Sequence, residues 1–566
     1  MRPGVRFLVV AVIFLLPSVM SHCQSYRAMW VDAFHAGFRN PDEVDLLLKR
    51  AVTAKLNALF VQVRARAAAY HLSEYDPPAH DKDPEYDALA DILHKCQGLP
   101  VPIEVHAWMN AHPLWPASHD PPFREHVVLR KPEWLTRNPN GDTATDVGRA
   151  LDFGHPKAAD YLWRTYLEVA RKYPVAGLHM DFIRYAGSDW GYNTESVARF
   201  NRRYGRTGTP EPEDPAWQQW RRDQVTALVR KLYATATALR WDIKITAALV
   251  PWGQAPAESR PWEETRAYRE VFSDWRTWLR EGSLDIGMPM WYANRQRLPQ
   301  YLPMWLRWAK EQQFPSAVVA GLGAYLNTPA DTMEQIRLAA EALPFGFCLF
   351  SYASTCDLGE GIRTYDEAVY RMLGEPVTEP PTPPDLPWKR SPEWGIVHGT
   401  VLDPQLHPLD GATVTLVGAD GREIATSTDG TGFYAFLRVP PGRYTVRVSS
   451  LTWPVLEIGG VSAFAGASVP AHGIVGSPAD LTRRSGMLRR LAEGASVCLA
   501  AMRIVGTDPL TLRDPIGGGE VVVRESTPPD LAWLVGDVVA VRGVLSAREG
   551  SVVLENATLA LLGIER

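Results

Sequence analysis

Carboxylates, arginines and aromatic side chains stand where strand-like apolar runs of the N-terminal part of the chain end. Carboxyl groups transfer protons, arginines bind hydroxyl or anionic groups, and large aromatic rings stack on the apolar faces of sugars. This combination favours acid–base chemistry on a carbohydrate. The residues at these ends are Asp32, Arg64, Arg66, His106, Trp108, Asn110, Asp181, Arg184, Trp252, Trp291, Tyr292, Tyr325, Asn327, Ser351 and Tyr352.

Asp181 is the best single candidate for a catalytic carboxylate. It ends the apolar run VAGLHMD and precedes Arg184, whose charge would keep the carboxyl ionised. Hydrolysis of a glycosidic bond needs one carboxyl group to protonate the leaving oxygen and another to act as nucleophile or to activate water. We predict Asp181 as the nucleophile or charge stabiliser; the alternative is a purely structural pair with Arg184.

The second carboxylate, the proton donor, has three leading candidates: Asp274, Glu104 and Asp32. Glu104 shares a strand face with His106, so it would lie one layer deeper in a barrel. For Asp32, a buried ion pair with Arg64 is an equal alternative. Three other carboxylates follow strands but are explained as well or better by a helix cap or a solvated surface: Asp152, Glu263 and Glu264.

The remaining candidates would bind the substrate. The aromatic ones would hold sugar rings at subsites, and the polar ones would contact hydroxyl groups or an acidic substituent. These predicted substrate-binding residues are Arg64, His106, Trp108, Asn110, Arg184, Trp252, Trp291 and Tyr292.

The elements that must position these residues alternate between short strands and amphipathic helices over residues 26–374. Asn40-Pro41-Asp42-Glu43 has the features of a helix start. Eight such units predict a (β/α)8 barrel, whose active site lies at the C-terminal ends of its strands; an open doubly wound sheet is the weaker alternative. The strand-like runs are AMWVDAF, ALFVQVR, IEVHAWM, VAGLHMDF, IKITAALV, LDIGMPMWY, SAVVAGL and GFCLFSY.

Two small all-β domains are predicted after the barrel. Residues 375–394 form a proline-rich linker, which is typical of a stiff spacer. Alternating runs separated by Asp-Gly and Pro-Pro-Gly turns predict a β-sandwich over 395–450. The strands of 451–566 resemble an OB-like barrel, without the aromatic platforms and basic groove that single-stranded nucleic acid requires.

The chain of 566 residues carries a formal net charge of -5, which argues against a nucleic-acid partner. Residues 1–25 have two arginines, an apolar run and small residues, and so predict a signal peptide. Cys23 follows a poor lipobox, which argues against a lipoprotein but leaves lipidation at Cys23 open. With no later apolar run long enough for a transmembrane helix, we expect an exported protein in the periplasm, at the cell surface or outside the cell.

Other chemistries have less support in the sequence. Histidines are numerous in the first half, but neither HExxH nor a His-x-His at a strand end is present, so no metal is predicted. The nucleophile motif GxSxG and nucleotide-binding glycine loops are also absent. We expect no cofactor.

Several ordered motifs resemble the bacterial glycosyl hydrolase-like 10 family over Arg27–Tyr352. They include RAMWVDAFHAGFRNPDEV, IEVHAWMNAHPLW, LDFGHPKAADYL, GLHMDFIRY, SDWRTWLREGSLDIGMPMWY and GLGAYLN. The resemblance implies a secreted or surface-attached TIM-type barrel. It also implies a glycoside hydrolase, some members acting on peptidoglycan glycan strands stripped of peptides. In the same way GATVTL, TDGTGFYAF and PPGRYTV resemble the carboxypeptidase regulatory-like β-sandwich.

Carried over by residue, Asp181 matches the family's aspartate at strand 4, Asp32 its position at strand 1, and Asp274 its DW motif. In place of the common acidic pair at strand 4, the chain has Asp181 followed by Phe182. GLGAYLN carries no acid, so xylanase activity is not implied. We predict an exported glycoside hydrolase-like enzyme that cleaves a polysaccharide. Two alternatives stay open: a non-catalytic polysaccharide-binding or envelope scaffold, and a metal-dependent sugar ester or amide hydrolase.

Overall fold

The structure is a computed structural model that describes residues 25–357, 363–364, 367–375, 377, 382–476, 496–515, 519–525, 531–548 and 551–564. The predicted signal peptide, with Cys23, therefore lies outside the described residues except for Ser25. Among the described helices, none has the length and apolar character needed to cross a bilayer.

A ring of parallel strands forms the N-terminal domain and confirms the predicted (β/α)8 barrel. β7 pairs with β6, and β8 pairs with β9, so β7 and β8 are two halves of one interrupted strand that closes the ring. β9 pairs in turn with β1. The strands are β1 (Tyr26–Val31), β2 (Ala58–Ala65), β3 (Glu104–Asn110), β4 (Gly177–Asp181), β5 (Lys244–Leu249), β6 (Ile286–Pro289), β7 (Ala317–Val318), β8 (Ala320–Gly323) and β9 (Gly346–Phe350).

Helices follow the strands and cover the outside of the barrel. The Asn40 side chain accepts a hydrogen bond from the backbone N–H of Glu43, so Asn40 is the N-cap at the predicted helix start. The α-helices are Pro41–Thr53, Ala88–Cys96, Val127–Arg130, Pro156–Lys172, Thr194–Tyr204, Pro215–Leu239, Arg266–Arg269, Trp275–Glu281, Tyr301–Gln312, Pro329–Ala342, Glu367–Gly374 and Pro387–Arg390, with 3-10 turns at Pro132–Trp134, Trp262–Glu264 and Ala324–Leu326. Short strands lie at Ala68–Ala69, Cys356–Asp357 and Arg363–Thr364.

The linker closes the N-terminal end of the barrel. Leu386 is buried in the apolar cluster that fills the barrel interior. Trp388 Nε1 donates to Asp285 Oδ1 at 2.8 Å, and Lys389 Nζ lies 3.2 Å from Asp285 Oδ2. Asp285, at the start of β6, is therefore a structural residue of this end of the barrel.

The C-terminal part consists of two β-domains, as the predicted fold class requires. The first is a sandwich of two sheets, and its strands continue past Ser450 to Ile474: Gly395–Leu402, Thr413–Gly418, Glu423–Ser427, Phe433–Val439, Gly442–Ser449, Leu456–Ala463, Ser468–Pro470 and Gly473–Ile474. The second is a closed five-stranded barrel of Ser496–Thr507, Leu510–Arg513, Glu520–Glu525, Asp537–Arg548 and Ser551–Ile564.

Both β-domains pack directly on the N-terminal barrel. Ile396, Phe433 and Ile564 are buried in the same apolar cluster as the outer face of the barrel. Arg199 on the barrel forms two hydrogen bonds with Asp410, at 2.7 and 2.8 Å. The β-domains keep cores of their own, but these contacts join them directly to the N-terminal barrel.

Candidate active site

A cavity of about 390 Å³ opens at the C-terminal ends of the barrel strands, where the barrel fold places active sites. Eight of its seventeen lining residues are aromatic, and such surfaces suit the apolar faces of sugar rings. The aromatic lining residues are Trp30, Phe34, Trp108, Phe182, Trp252, Tyr292, Tyr325 and Phe350, and the polar ones are Gln62, Asn110, Asp181, Arg184 and Ser273.

Asp181 contributes the carboxylate of this cavity. Its Oδ2 accepts from Trp108 Nε1 at 3.0 Å, and its Oδ1 accepts from the backbone N–H of Phe182 at 2.7 Å. Phe182 has a φ of 53°, in the left-handed region that is costly for a bulky residue, and such strain clusters at functional sites. Burial raises the pKa of Asp181 to about 6, although these two donors and the charge of Arg184 act in the opposite direction. The carboxyl therefore holds its proton more strongly than an ordinary aspartate.

Arg184 lies beside Asp181 between two aromatic rings. Its guanidinium carbon is 4.8 Å from the ring centre of Phe182 and 4.9 Å from that of Trp252. Burial lowers the pKa of Arg184 to about 10, against the charges of Asp181 and Asp146, and the group stays cationic near neutral pH. It can therefore bind a substrate hydroxyl or an anionic substituent.

Asp32 borders the cavity from the other side of the barrel mouth. Its carboxylate accepts from Ser351 Oγ at 3.0 Å, from the backbone N–H of Phe34 at 3.1 Å and from His35 at 2.7 Å. The expected partner Arg64 is absent from this network. Asp32 is buried and is not among the residues that line the cavity, so its hydrogen bonds order the rim next to Phe34.

Glu104 lies at the opposite end of the barrel from Asp181. It begins β3, whereas Asn110, which pairs with Asp181, ends it. Six residues of strand span roughly 20 Å, more than the ~10 Å limit for paired carboxylates. Burial alone would raise the pKa of Glu104, but its hydrogen bond with His106 and the charge of Lys244 lower it to about 2. Glu104 is thus a structural anion and cannot be the proton donor for Asp181.

Asp274 caps a helix instead of lining the cavity. It precedes Trp275–Glu281, and its Oδ2 accepts from Thr277 Oγ1 at 2.7 Å. Its Oδ1 accepts from Trp262 Nε1, also at 2.7 Å. The neighbouring Ser273 reaches the cavity, while Asp274 is turned towards its own helix.

Arg64 is outside the cavity because β2 contains a bulge. The register with β3 changes from Gln62 opposite Trp108 to Arg64 opposite Met109, so the alternation of side chains is broken. Arg64 therefore turns outwards, where its Nε lies 2.6 Å from Asp76 Oδ2 and it is fully buried. The ion pair of Arg64 with Asp76 is therefore structural.

His106 and Trp291 also lie away from the cavity wall. His106 faces the barrel interior below the cavity, where it stacks on Phe60 with ring centres 4.3 Å apart. Trp291 is fully buried and stacks on Trp305, whereas its neighbours Met290 and Tyr292 line the cavity. Trp108, Asn110, Arg184, Trp252 and Tyr292 line the cavity as predicted binding residues would, and their roles stay predictions.

Sequence reasoning missed residues of the wall and one charged residue outside it. Gln62 is a polar residue inside the apolar run ALFVQVR, and that contrast was the available signal; its Nε2 donates to Asn110 Oδ1 at 3.0 Å. Trp30 lies inside β1 and gives no strand-end signal. Asp146 lies exposed on the long loop after β3, and its charge acts on Arg184, but no pattern in the loop distinguishes it.

The histidines that suggested a metal have other partners. His179 accepts from Trp30 Nε1 at 3.0 Å and contacts Thr246 Oγ1 at 2.7 Å. His71 lies 3.8 Å from Glu168. In the described part of the chain, no group of three or more His, Cys, Asp or Glu side chains is arranged to hold a metal ion.

Comparison with protein families decides the class of this barrel. The glycosyl hydrolase-like 10 model matches residues 26–326, just over half of the 566-residue chain. The chain belongs to the glycosyl hydrolase-like 10 family. A carboxypeptidase regulatory-like domain model matches residues 396–469, within the β-sandwich. Both resemblances drawn from the sequence are thereby confirmed.

The curated relatives of this chain are distant in sequence. Glycosyl hydrolase YngK of Bacillus subtilis (strain 168) is 28% identical over 258 residues, which cover 42% of this chain and 46% of YngK. Glycosyl hydrolase DigH of Escherichia coli (strain K12) is 23% identical over 298 residues, covering 47% of this chain and 63% of DigH. The match thus spans less than two thirds of these relatives.

Two solved structures align with most of their own length. The glycoside hydrolase domain of PgaB from Bordetella bronchiseptica is 13% identical, with 58% of this chain and 94% of that chain covered and a TM-score of 0.41. The catalytic domain of a beta-amylase from Paenibacillus polymyxa is 12% identical, with 62% and 98% covered and a TM-score of 0.41. Sequence identities and TM-scores this low say nothing about the substrate or mechanism of this protein.

Proposed function

We propose that this protein hydrolyses glycosidic bonds of a polysaccharide in the aromatic cavity at the mouth of the barrel. The observation that carries the proposal is Asp181, a buried carboxyl with a raised pKa among stacking surfaces. A raised pKa suits a general acid. We therefore assign to Asp181 protonation of the leaving oxygen, which reverses the nucleophilic role expected from the sequence, since burial outweighs the charge of Arg184.

The reaction needs a group that activates water or attacks the sugar. In the proposed cycle, Asp181 gives its proton to the glycosidic oxygen as the bond to the anomeric carbon breaks. Water then adds to that carbon and its proton passes to the second carboxylate, which releases it to solvent, while Asp181 takes up a proton from solvent. Asp146 on the exposed loop and Asp32 at the rim are the two candidates for the second carboxylate.

We propose an exported location and, by likeness to the family, peptidoglycan glycan strands stripped of peptides as a substrate. The N-terminal signal-peptide pattern supports export. Stacking surfaces together with the Arg184 cation support a sugar polymer that bears acidic substituents. No cofactor takes part in this scheme.

The decisive experiment measures oligosaccharide release from a panel of polysaccharides, including peptide-free peptidoglycan glycan. Asp181→Asn should reduce the rate at least about 100-fold, consistent with loss of a general acid. Asp146→Asn and Asp32→Asn identify the second carboxylate, and Glu258→Gln, an exposed carboxylate on the loop after β5, is the matched control. Full activity of Asp181→Asn would overturn the assignment.

The same panel tests the two alternatives. Release of products that a chelator abolishes would favour a metal-dependent hydrolase. Tight binding without any product would favour a polysaccharide-binding scaffold.

A further inference from the structure

A second cavity, of about 240 Å³, lies beside the first at the C-terminal ends of β1 and β2. The two cavities share one lining residue, Phe34, whose surface is 50% exposed. Phe34 is therefore an aromatic ridge between them. A sugar chain that occupies the first cavity can continue over this ring into the second.

The charged groups in the wall of the second cavity are mostly cationic. It contains two arginines, Arg39 and Arg66, against a single acid, Asp81. Asp81 is already occupied, because its carboxylate lies 3.0 Å from Arg39 and accepts from Tyr70 Oη at 2.8 Å. Among the described residues, neither Asp81 nor any other acidic residue forms an ion pair with Arg66.

Arg66 is held in place through its backbone while its guanidinium has no polar partner in the described part of the structure. Its φ is 53°, and its carbonyl oxygen is hydrogen-bonded to His126 Nε2 at 2.8 Å. The guanidinium carbon lies 5.2 Å from the ring centre of Phe34. A fixed, half-buried cation above an exposed ring is arranged to meet a ligand that has both an apolar face and an anionic group.

We propose that Phe34 and Arg66 form a subsite for a carboxylate-bearing sugar unit next to the unit bound at Asp181. Phe34 stacks on the sugar ring, and Arg66 binds the carboxylate. This inference rests on the proposed function, since it takes the occupant of the first cavity to be a sugar. It deepens that function by assigning a second subsite and the residue, Arg66, that would select an acidic unit there.

The test compares binding of acidic and neutral chains with the same backbone. The probes are peptide-free peptidoglycan glycan strands, whose units carry carboxylates, and chitin oligosaccharides of matched length, which have none. Affinities are measured by calorimetry with the full chain carrying Asp181→Asn, so that hydrolysis does not consume the probe. In that background we expect Arg66→Gln to weaken binding of the acidic strands about tenfold, the effect of one charged hydrogen bond, and to leave chitin binding unchanged.

Phe34→Ala should weaken binding of both probes, because it removes the stacking surface. Arg297→Gln, an exposed arginine on the loop after β6 and outside both cavities, is the matched control and should change neither affinity. Equal affinity of Arg66→Gln and its parent for the acidic strands overturns the proposal, as does failure of the parent to bind them. Selective loss of acidic binding together with no hydrolysis by the wild type supports the subsite and defeats the proposed function.

Discussion

Asp181 is surrounded by aromatic walls, and its protonation follows from that environment more than from its hydrogen bonds. Trp108 and the backbone of Phe182 both donate to its carboxylate, which favours the ionised form. Burial acts more strongly in the other direction and raises the pKa to about 6. A single side chain thus acquires the property that a proton donor needs.

The pH dependence of hydrolysis should follow the proton of Asp181. Since the acid must be protonated to act, we expect kcat/KM to fall as the pH rises above about 6. Trp108→Phe removes a donor to the ionised form, so the pKa should rise and the alkaline limb should move to higher pH. Initial rates over pH 4–9 check this, and an unmoved limb in Trp108→Phe would contradict the assignment.

Asp181 should also make stability depend on pH in the absence of substrate. Its pKa is raised from 3.8 to about 6 on folding, so ionisation opposes folding; the penalty is absent below about pH 3.8 and complete above about pH 6. The stability advantage of Asp181→Asn over the wild type should therefore grow as the pH rises between these values and reach up to about 3 kcal/mol. Urea denaturation at pH 4 and pH 7 measures the difference. A constant difference would show that the carboxyl is not perturbed.

At the scale of elements, helix starts and strand bulges decide which polar residues reach the cavity. Asp274 satisfies the first turn of its helix and the indole of Trp262. The bulge in β2 turns Arg64 outwards to Asp76 while it leaves Gln62 facing the cavity. Both outcomes depend on the local backbone geometry and packing of an element, and the residue type alone does not predict them.

Asp274→Ala should lower the free energy of unfolding by about 1 kcal/mol, the usual effect of losing an N-cap, and should retain activity per folded molecule. Asp274→Asn keeps a capping oxygen and should be nearly neutral in both respects. Thermal unfolding and product release measure the two effects. A stable Asp274→Asn protein without activity would instead show that Asp274 takes part in catalysis.

At the scale of the whole molecule, the β-domains complete the surface of the barrel. Phe433 and Ile564 are buried against it, and Arg164, which is buried on the barrel, lies 3.5 Å from Asp537. Removing these domains would expose apolar surface and leave buried cations with fewer partners.

A chain ending at residue 375 should consequently melt at a lower temperature than the full-length protein and aggregate more readily. Differential scanning calorimetry and light scattering check this. Asp410→Asn, which weakens one interdomain ion pair with Arg199 in the intact chain, should show a smaller decrease. Identical melting of the barrel in both contexts would show that the domains are energetically independent.

The sequence by itself determined the barrel, the two β-domains and the strand end that carries Asp181. Eight apolar runs alternating with capped helices have few other ways to bury their surface, so the order of elements is enough. The rule that active sites lie at C-terminal strand ends then placed Trp108, Asn110, Arg184, Trp252 and Tyr292 at the mouth, where the structure has them.

Only the tertiary structure decided which charges are available for chemistry. The bulge in β2 turns Arg64 away from the cavity, and Asp274 serves as a helix N-cap. At the base of the barrel, Glu104 pairs with Lys244. It also raised the pKa of Asp181 through burial. The reason is physical: strand register, capping and desolvation depend on neighbours distant in sequence, which a linear pattern does not contain.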